Sequence, residues 1–430
     1  MLDIRYIREN AERVKEFTVQ KGYTADIGEL LRLDERRRTL TGRADELRAE
    51  RNASNPKGQP PTTEQIENGK RLKELIAAIE AELKSVDDDY LIILKKVPNI
   101  PESDVPVGAS EDENIVAKIV GEPTKFDFDP KTHYAIGEAR GWIDKERASK
   151  VAGARFAYIK GDMVKLQMAV VQFVIDTLTD EAKIKEIAHS AGLAVSTKPF
   201  TPVLPPLMIR TALYDAMDRL DPRDDRYKLE GDDLWLQGSA EHVLGSMHAD
   251  EIFNENELPI RYLGYATSFR REAGTYGKDT EGILRMHQFD KLEMESFTTK
   301  EAGRSEHLLF VAIQQYLLNV LELPYRVIQK CTADIGKPNA LGIDMETWMP
   351  GQQTYRETHT ADYMTDYQAR RLQTRVRREG GEVELVHTND ATAFALGRIM
   401  IAIIENFQTE DGHVTVPAVL RSYIGGRDLL

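Results

Sequence analysis

Cysteine is almost absent from this sequence. Cys331 is the only one in 430 residues, which excludes an intrachain disulfide framework and any cysteine-rich zinc site; no zinc is expected. Tryptophan is scarce at three residues, and the first hundred residues hold none. Positive charge is the minority sign: 57 Lys and Arg face 71 Asp and Glu, a net charge of −14, which argues against a generic nucleic-acid binder. No apolar run reaches the roughly 20 residues that span a bilayer. The longest uncharged stretch, 308–321, contains glutamines and an asparagine. Met1-Leu2-Asp3-Ile4-Arg5 puts charge where a signal peptide needs an apolar stretch. A soluble, cytoplasmic protein with no membrane partner is expected.

An apolar fraction of 41% supports a sizeable core, and 30% charged residues point to an extended, solvated part. The length suggests two or three domains. Residues 3–20 read as a short amphipathic helix. Leu72, Ile76, Ile79, Leu83, Val86, Tyr90, Ile93 and Val97 step by fours and threes, as a coiled-coil seam does. Leu30, Leu33, Arg37, Leu40, Ala44 and Leu47 repeat the steps with one arginine intruding. Between them, 52–63 holds Asn55-Pro56-Lys57-Gly58 and Pro60-Pro61, which break a helix and reverse the chain. The simplest product is an antiparallel helical hairpin with arms of roughly 40 Å. A dimerising coiled coil is the plainer alternative, but it needs no break and return.

Residues 98–125 are rich in Pro, Gly, Asp and Glu and read as a linker. Beyond them, helical patterns fall at 144–152, 164–190, 240–254, 300–321 and 393–408. Strand-like runs fall at 201–209, 260–270, 283–296, 324–331, 343–349 and 383–388. Strands following strands favour an antiparallel sheet flanked by helices, an α+β fold. The expected division is 1–108 for the helical arm and 109–430 for the sheet domain.

Gly274-Thr275-Tyr276-Gly277-Lys278-Asp279-Thr280 fails as a phosphate loop: its glycines are too close, and Asp279 stands where Ser or Thr should meet magnesium. The flanking residues are more informative. Thr267 to Glu272 and Arg285 to Glu295 alternate with period two, which predicts a β-hairpin with a long loop. Arg270, Glu272, Arg285, Phe289 and Glu293 are expected on one face. A solvated face with surface ion pairs is the plain alternative, and Phe289 among the charges argues against it.

These residues resemble motif 2 of the class II aminoacyl-tRNA synthetases. Leu204-Pro205-Pro206 resembles the end of motif 1, and Phe394-Ala395-Leu396-Gly397-Arg398 resembles motif 3. Within that class the chain is similar to seryl-tRNA synthetases over nearly its whole length. The N-terminal arm, Pro98-Asn99-Ile100-Pro101, Gly153-Ala154-Arg155-Phe156, His287-Gln288-Phe289-x-Lys291-x-Glu293, Tyr355-Arg356-Glu357, Asp366 to Arg371 and Glu405-Asn406-Phe407-Gln408 match in order. The resemblance implies a class II catalytic domain that binds ATP and L-serine, a tRNA(Ser)-binding arm and a homodimer. It implies that Arg270 meets the α-phosphate and the serine carboxylate, that Phe289 stacks on adenine, and that Glu272 meets its amino group. Arg285 and Arg398 would hold the outer phosphates, with Arg271, Thr358 and His359 also in the ATP site. Glu357 and Thr360 would hold Mg2+. Ser239, Ala240, Glu241, Arg270, Glu293 and Thr392 would form the serine pocket, and Arg270, Arg398 and Glu357 the catalytic centre.

The sequence departs from the family in places. Ser239 stands for a usual threonine, Asp362 adds a charge near the site that is expected to perturb metal or pyrophosphate binding, and Asp390 replaces a common asparagine. An insertion near 180–197 bears on the dimer edge. His242, His248 and Cys331 read as structural, His287 and His359 as supporting residues, and Trp142, Trp235 and Trp348 as packing. Two other functions stay open: a paralogue that loads an amino acid onto a non-tRNA carrier, which would lack the arm, and a catalytically dead tRNA-binding dimer, which would have lost Arg270, Glu272, Arg398 or Glu357. The charge is also uneven. From Ile27 to Pro60 the cations Arg32, Arg36, Arg37, Arg38, Arg43, Arg48, Arg51 and Lys57 outnumber Glu29, Asp34, Glu35, Asp45, Glu46 and Glu50, 8 − 6 = +2. Phosphate contacts need only such a local stripe.

Overall fold

The computed structural model describes residues 1–54, 62–273 and 281–430. The expected hairpin tip at 55–61 and the failed phosphate loop at 274–280 lie outside the described residues. The chain forms two compact units, Met1–Ile100 and Pro101–Leu430. The division falls eight residues before the expected 108, because 101–108 is tied to the second unit. Glu102 N donates to Ala340 O, Gly108 N donates to Thr332 Oγ1, and Val105 is buried among Ile335, Leu341 and Tyr363.

The first unit opens with two helices, α1 (Ile4–Glu9) and α2 (Ala11–Gln20), rather than the single one expected. The long pair is α3 (Ile27–Ala53) and α4 (Thr63–Leu94). Asp26 caps α3 by accepting from Glu29 N, and Thr62 with Gln65 forms a reciprocal capping box on α4. The predicted seam is observed in part: on α4, Ile79, Leu83, Val86 and Ile93 are only half-buried, and Val97 lies beyond the helix. Leu30, Leu33, Leu40, Ala44 and Leu47 are buried, facing Leu72, Ile76 and Tyr90 on α4. Arg37, the intruder, pairs with Asp87 and lies 4.0 Å over the Tyr90 ring. Arg36 and Arg48 likewise reach Glu82 and Glu80 of α4, so several arm cations are already paired.

The second unit is built on an eight-stranded sheet. Its strands are β1 (Ile115–Val120), β2 (Thr201–Val203), β3 (Ile260–Phe269), β4 (Gln288–Thr298), β5 (Tyr325–Gln329), β6 (Leu341–Met349), β7 (Thr354–Thr365) and β8 (His387–Ala395). The spatial order is β1-β5-β6-β7-β8-β4-β3-β2, antiparallel except for the edge pair β2 and β3. One sheet face packs on α5 (Asp162–Leu178), α6 (Glu181–Ser190), α8 (Lys300–Val320) and α9 (Leu396–Asn406). Leu292, Met294, Ala361 and Ala391 meet Phe310, Ile313, Ile399 and Ile403 in this core. The other face carries the polar residues.

Several local expectations are corrected. The expected linker contains β1, which pairs with β5. The 164–190 helix breaks at Thr179, where Asp180 caps α6 by accepting from Ala182 N. The break turns Ile184 and Ile187 back into the core. Of the expected helix 240–254 only α7 (Glu241–Leu244), a single turn, is helical. In chain order this turn lies between α6 and α8, and Ile252–Asn254 pairs instead with Arg375–Arg377. Residues 393–395 belong to β8, and the 283–296 strand begins only at Gln288. Thr354–Thr365, a twelve-residue strand, was not foreseen.

His307 of α8 is buried against this sheet, and its Nε2–H donates to Ala361 O at 3.0 Å. Burial pulls its pKa down to about 4, so the folded state holds it neutral while the unfolded chain protonates near 6.5. Stability is therefore intact above pH 6.5 and falls as pH drops toward 4. Urea unfolding is expected to lose about 2 kcal/mol between pH 7.5 and pH 5 through this one residue. His307→Gln is expected to flatten that slope by a similar amount.

Candidate active site

The polar face of the sheet opens a cleft lined by Arg270, Glu272, Arg285, Phe289, Lys291, Glu357, Thr358, Thr360, Thr392 and Arg398. The hairpin residues reach it differently from the expected alternation. The β3–β4 ladder ends at Phe269 opposite Gln288, so Arg270, Glu272 and Arg285 lie beyond it. Arg270 N donates to His287 O at 3.0 Å, and the His287 Nδ1–H returns a bond to Arg270 O at 2.9 Å. This exchange holds the Arg270 backbone. Its Nε donates to Gly238 O, and its guanidinium lies 5.4 Å from the Phe289 ring centre. Glu272 adopts a left-handed φ of 53° and accepts from Arg285 Nη1 at 2.6 Å.

Two β-bulges shape the opposite wall. The β6–β7 register shifts between Met345 and Glu346, so β7 carries one extra residue at Thr358. In a regular strand Glu357 and Thr360, three apart, would face opposite ways; the bulge brings both to the cleft. A second shift at Thr392/Phe394 does the same for Thr392 and Ala395. Arg398, in the first turn of α9, donates to the Glu357 carboxylate at 2.8 Å and to its carbonyl at 2.7 Å. The Glu357 side chain is half exposed in the open cleft; desolvation by the wall around it would raise its carboxyl, but Arg398, Lys330 and Arg270 outweigh that and hold it below its ordinary value.

At one end of the cleft lies a carboxylate pocket. Glu293 on β4 sits opposite Gly264 on β3 and Thr392 on β8. Gly264 is required there. A Cβ would come within 2.7 Å of Leu244 and 3.3 Å of Ala240, so its absence lets α7 lie on the sheet. That placement brings Glu241 beside Glu293. Ser239 Oγ is 3.4 Å from Glu293, and Lys291 contacts Glu293, Ser239 and Glu241. Burial pushes Glu293 up to about 8 despite Lys291. Glu241 is driven the other way: burial opposes its charge, but Lys291, His242 and Arg219 hold it well below the usual range. His242 accepts from Gly238 N at Nδ1, so its Nε2–H faces Glu241 at 3.3 Å. Two neighbouring carboxyls with separated titrations suit distinct roles.

The curated relatives and solved structures name this arrangement. Residues 1–101 match the seryl-tRNA synthetase N-terminal domain family, and residues 226–407 match the tRNA synthetase class II core domain (G, H, P, S and T). A serine–tRNA ligase of Syntrophotalea carbinolica is 38% identical over 99% of both chains. One from Deinococcus radiodurans is 39% identical over 100% of this chain and 99% of its own. The chain belongs to the seryl-tRNA synthetase family. The crystal structure of the Pyrococcus horikoshii seryl-tRNA synthetase complexed with ATP matches with a TM-score of 0.88 at 35% identity, covering 100% of this chain and 99% of that one. The Naegleria fowleri cytoplasmic enzyme in complex with AMP matches at 0.84 and 28% identity, covering 100% and 98%.

Within this family member, most residues implied by the resemblance converge on the cleft or its carboxylate end. Three differ in placement. Arg271 is exposed and stacks 5.8 Å over Tyr227, away from the cleft lining. His359 is buried behind the wall, bonded to Thr358 Oγ1 and edge-on to Phe394, because the bulge turns its side chain to the core face. Ala240 packs its methyl against Leu244 and Ala266. Lys291, a motif residue with no role among the implied ones, also lines the cleft; its place between Phe289 and Glu293 at period two puts it on their face.

The unusual carboxylates lie deeper. Asp362, Asp390 and Glu295 are cross-strand neighbours in one buried row. Arg219 donates to Asp390 at 3.1 Å. Burial raises Asp362, Asp390 and Glu295 alike. Asp362 therefore belongs to this row and not to the cleft lining, where it was expected to disturb metal or pyrophosphate. The expected insertion folds as α6 and an extended return to β2. His248 is structural, bonded to Tyr262 and Glu251, and Cys331 is buried.

Gly264→Val is expected to lift α7 from the sheet and to cost about 1–3 kcal/mol. Urea unfolding measures the cost, and an unchanged midpoint would contradict the close approach.

Proposed function

We propose that the chain is a ligase that activates L-serine with ATP and transfers it to the 3′ end of tRNA(Ser). The observation that carries this is the meeting, in one cleft, of three arginines and a stacking phenylalanine with an adjoining carboxylate pocket. Phe289 offers a face for adenine, with Glu272 at its edge. Arg285 and Arg398 take the outer phosphates. Arg270 reaches both the α-phosphate and the serine carboxylate, which suits its planar fork. Glu241 meets the substrate ammonium, while Glu293, Ser239 and Thr392 read the hydroxyl.

The serine carboxylate oxygen forms a bond to the α-phosphorus as the bond to the pyrophosphate oxygen breaks. A ribose hydroxyl of tRNA then attacks the seryl carbonyl, its proton is lost, and AMP leaves. No protein nucleophile is needed, because positioning and electrostatics lower both barriers. Oxygen donors Glu357 and Thr360, turned to one cleft by the bulge, would hold Mg2+, a hard cation that prefers oxygen ligands. When bound, the metal neutralises phosphate charge.

The arm is proposed to bind tRNA, and the carrier-loading reading loses favour because α3 and α4 are intact. The dead-enzyme reading loses favour because Arg270, Glu272, Glu357 and Arg398 share the cleft. A homodimer is proposed through the apolar groove of Leu204, Pro206, Met208 and Met247, where Leu204 is 81% exposed. No described helix is long and apolar enough to cross a membrane; a cytoplasmic location remains part of the proposal.

ATP–pyrophosphate exchange is expected with serine and to fall at least about 100-fold in Arg270→Ala. Exchange with a different amino acid, and none with serine, would sink the substrate assignment. Deleting residues 31–94 is expected to spare exchange and cripple tRNA charging. Charging that survives the deletion would refute the arm's role.

A further inference from the structure

Lys291 already stands in the pocket proposed for the amino acid. Its Nζ contacts Glu293, donates to Ser239 Oγ at 3.0 Å and lies 3.9 Å from Glu241 Oε2. The side chain is only 8% exposed. Glu241 is itself buried, and its Oε2 accepts no hydrogen bond from any described residue. One ammonium thus stands between two carboxylates and a hydroxyl, with an acceptor to spare. A second ammonium brought to the same carboxylates meets a like charge at contact distance. Lys291 is also a lining residue of the cleft, alongside Arg270, Glu357 and Arg398. Its long stem lets the charge swing along the strand without moving the backbone.

We propose that Lys291 is a movable counter-ion: the incoming amino acid, its ammonium at Glu241 and its hydroxyl at Glu293 and Ser239, displaces Nζ from the pocket, and the freed cation turns into the cleft toward the nucleotide phosphates. This rests on the reading of Glu241 and Glu293 as the amino-acid pocket. It has a consequence which that reading alone lacks. Each substrate favours the same position of Lys291, so the two bind with positive coupling. The empty pocket, meanwhile, keeps its carboxylates compensated.

The test is calorimetric titration of serine, with and without α,β-methylene-ATP, into the full chain and into Lys291→Met and Lys291→Arg. In the unsubstituted protein the analogue is expected to tighten serine binding about 10-fold or more. Lys291→Met is expected to abolish that coupling while leaving serine binding alone unweakened, and Lys291→Arg to retain coupling. Coupling unchanged in Lys291→Met, or serine binding lost without nucleotide, would overturn the proposal. Failure of all three proteins to bind serine would overturn the pocket reading itself, and this inference with it. A second measurement needs no variant. In a crystal structure with a seryl-adenylate sulfamoyl analogue, Nζ is expected beyond hydrogen-bonding reach of Glu293; an intact Lys291–Glu293 contact would refute the displacement.

Discussion

Burying a carboxylate costs several kcal/mol unless a cation or a proton compensates it. The polar face of this sheet holds Glu293, Glu295, Asp362, Asp390 and Asp344, all buried. Their compensation comes from a few cations: Lys291 at Glu293, Arg219 at Asp390 and Lys330 at Asp344. The cations offset burial only in part, and Glu293 stays raised to about 8 beside Lys291. Glu295 is held well above the ordinary range by burial first, then by neighbouring carboxyls. The opposite face is hydrocarbon, in one core with α5, α6, α8 and α9. The sheet is thus a partition. Its apolar side fixes the strands, and that rigidity lets the other side hold charge in place for a substrate.

Irregularities in the strands then aim individual groups. The bulge at Thr358 turns Glu357 and Thr360 the same way, and the bulge before Phe394 does so for Thr392 and Ala395. Gly264 lowers α7 onto the sheet, so that Glu241 comes from a second element to face Glu293. Chemistry at the cleft depends on these departures from regular pairing more than on the strands themselves.

Legibility in the sequence followed the same physics. The α3–α4 seam was readable because its apolar spacing is set by helix geometry alone. The strands β3, β5 and β6 were readable as apolar runs. Strand β7 was not: only its second half is mostly buried, and its active face carries Glu357, Thr358 and Thr360, polar residues that mimic a loop. The helix expected over 240–254 failed because apolar residues there serve tertiary packing around a single turn. The site residues were recovered by motif resemblance and not by periodicity. Arg271 and His359 sit inside the motifs yet outside the cleft, since a motif records sequence neighbours and the bulge decides which of them face inward. Lys291 had no place in the inferred roles, although its alternation with Phe289 and Glu293 puts it on their face.

The central claim is that this polar face recognises an amino acid by its ammonium and hydroxyl beside a bound adenylate. Calorimetric titration with 5′-O-sulfamoyl adenosine analogues of seryl- and alanyl-adenylate tests it most directly, because the two ligands differ by one hydroxyl. A pocket that hydrogen-bonds that hydroxyl through Glu293 and Thr392 predicts at least about 100-fold tighter binding of the seryl analogue. Equal affinity for the two would contradict the account.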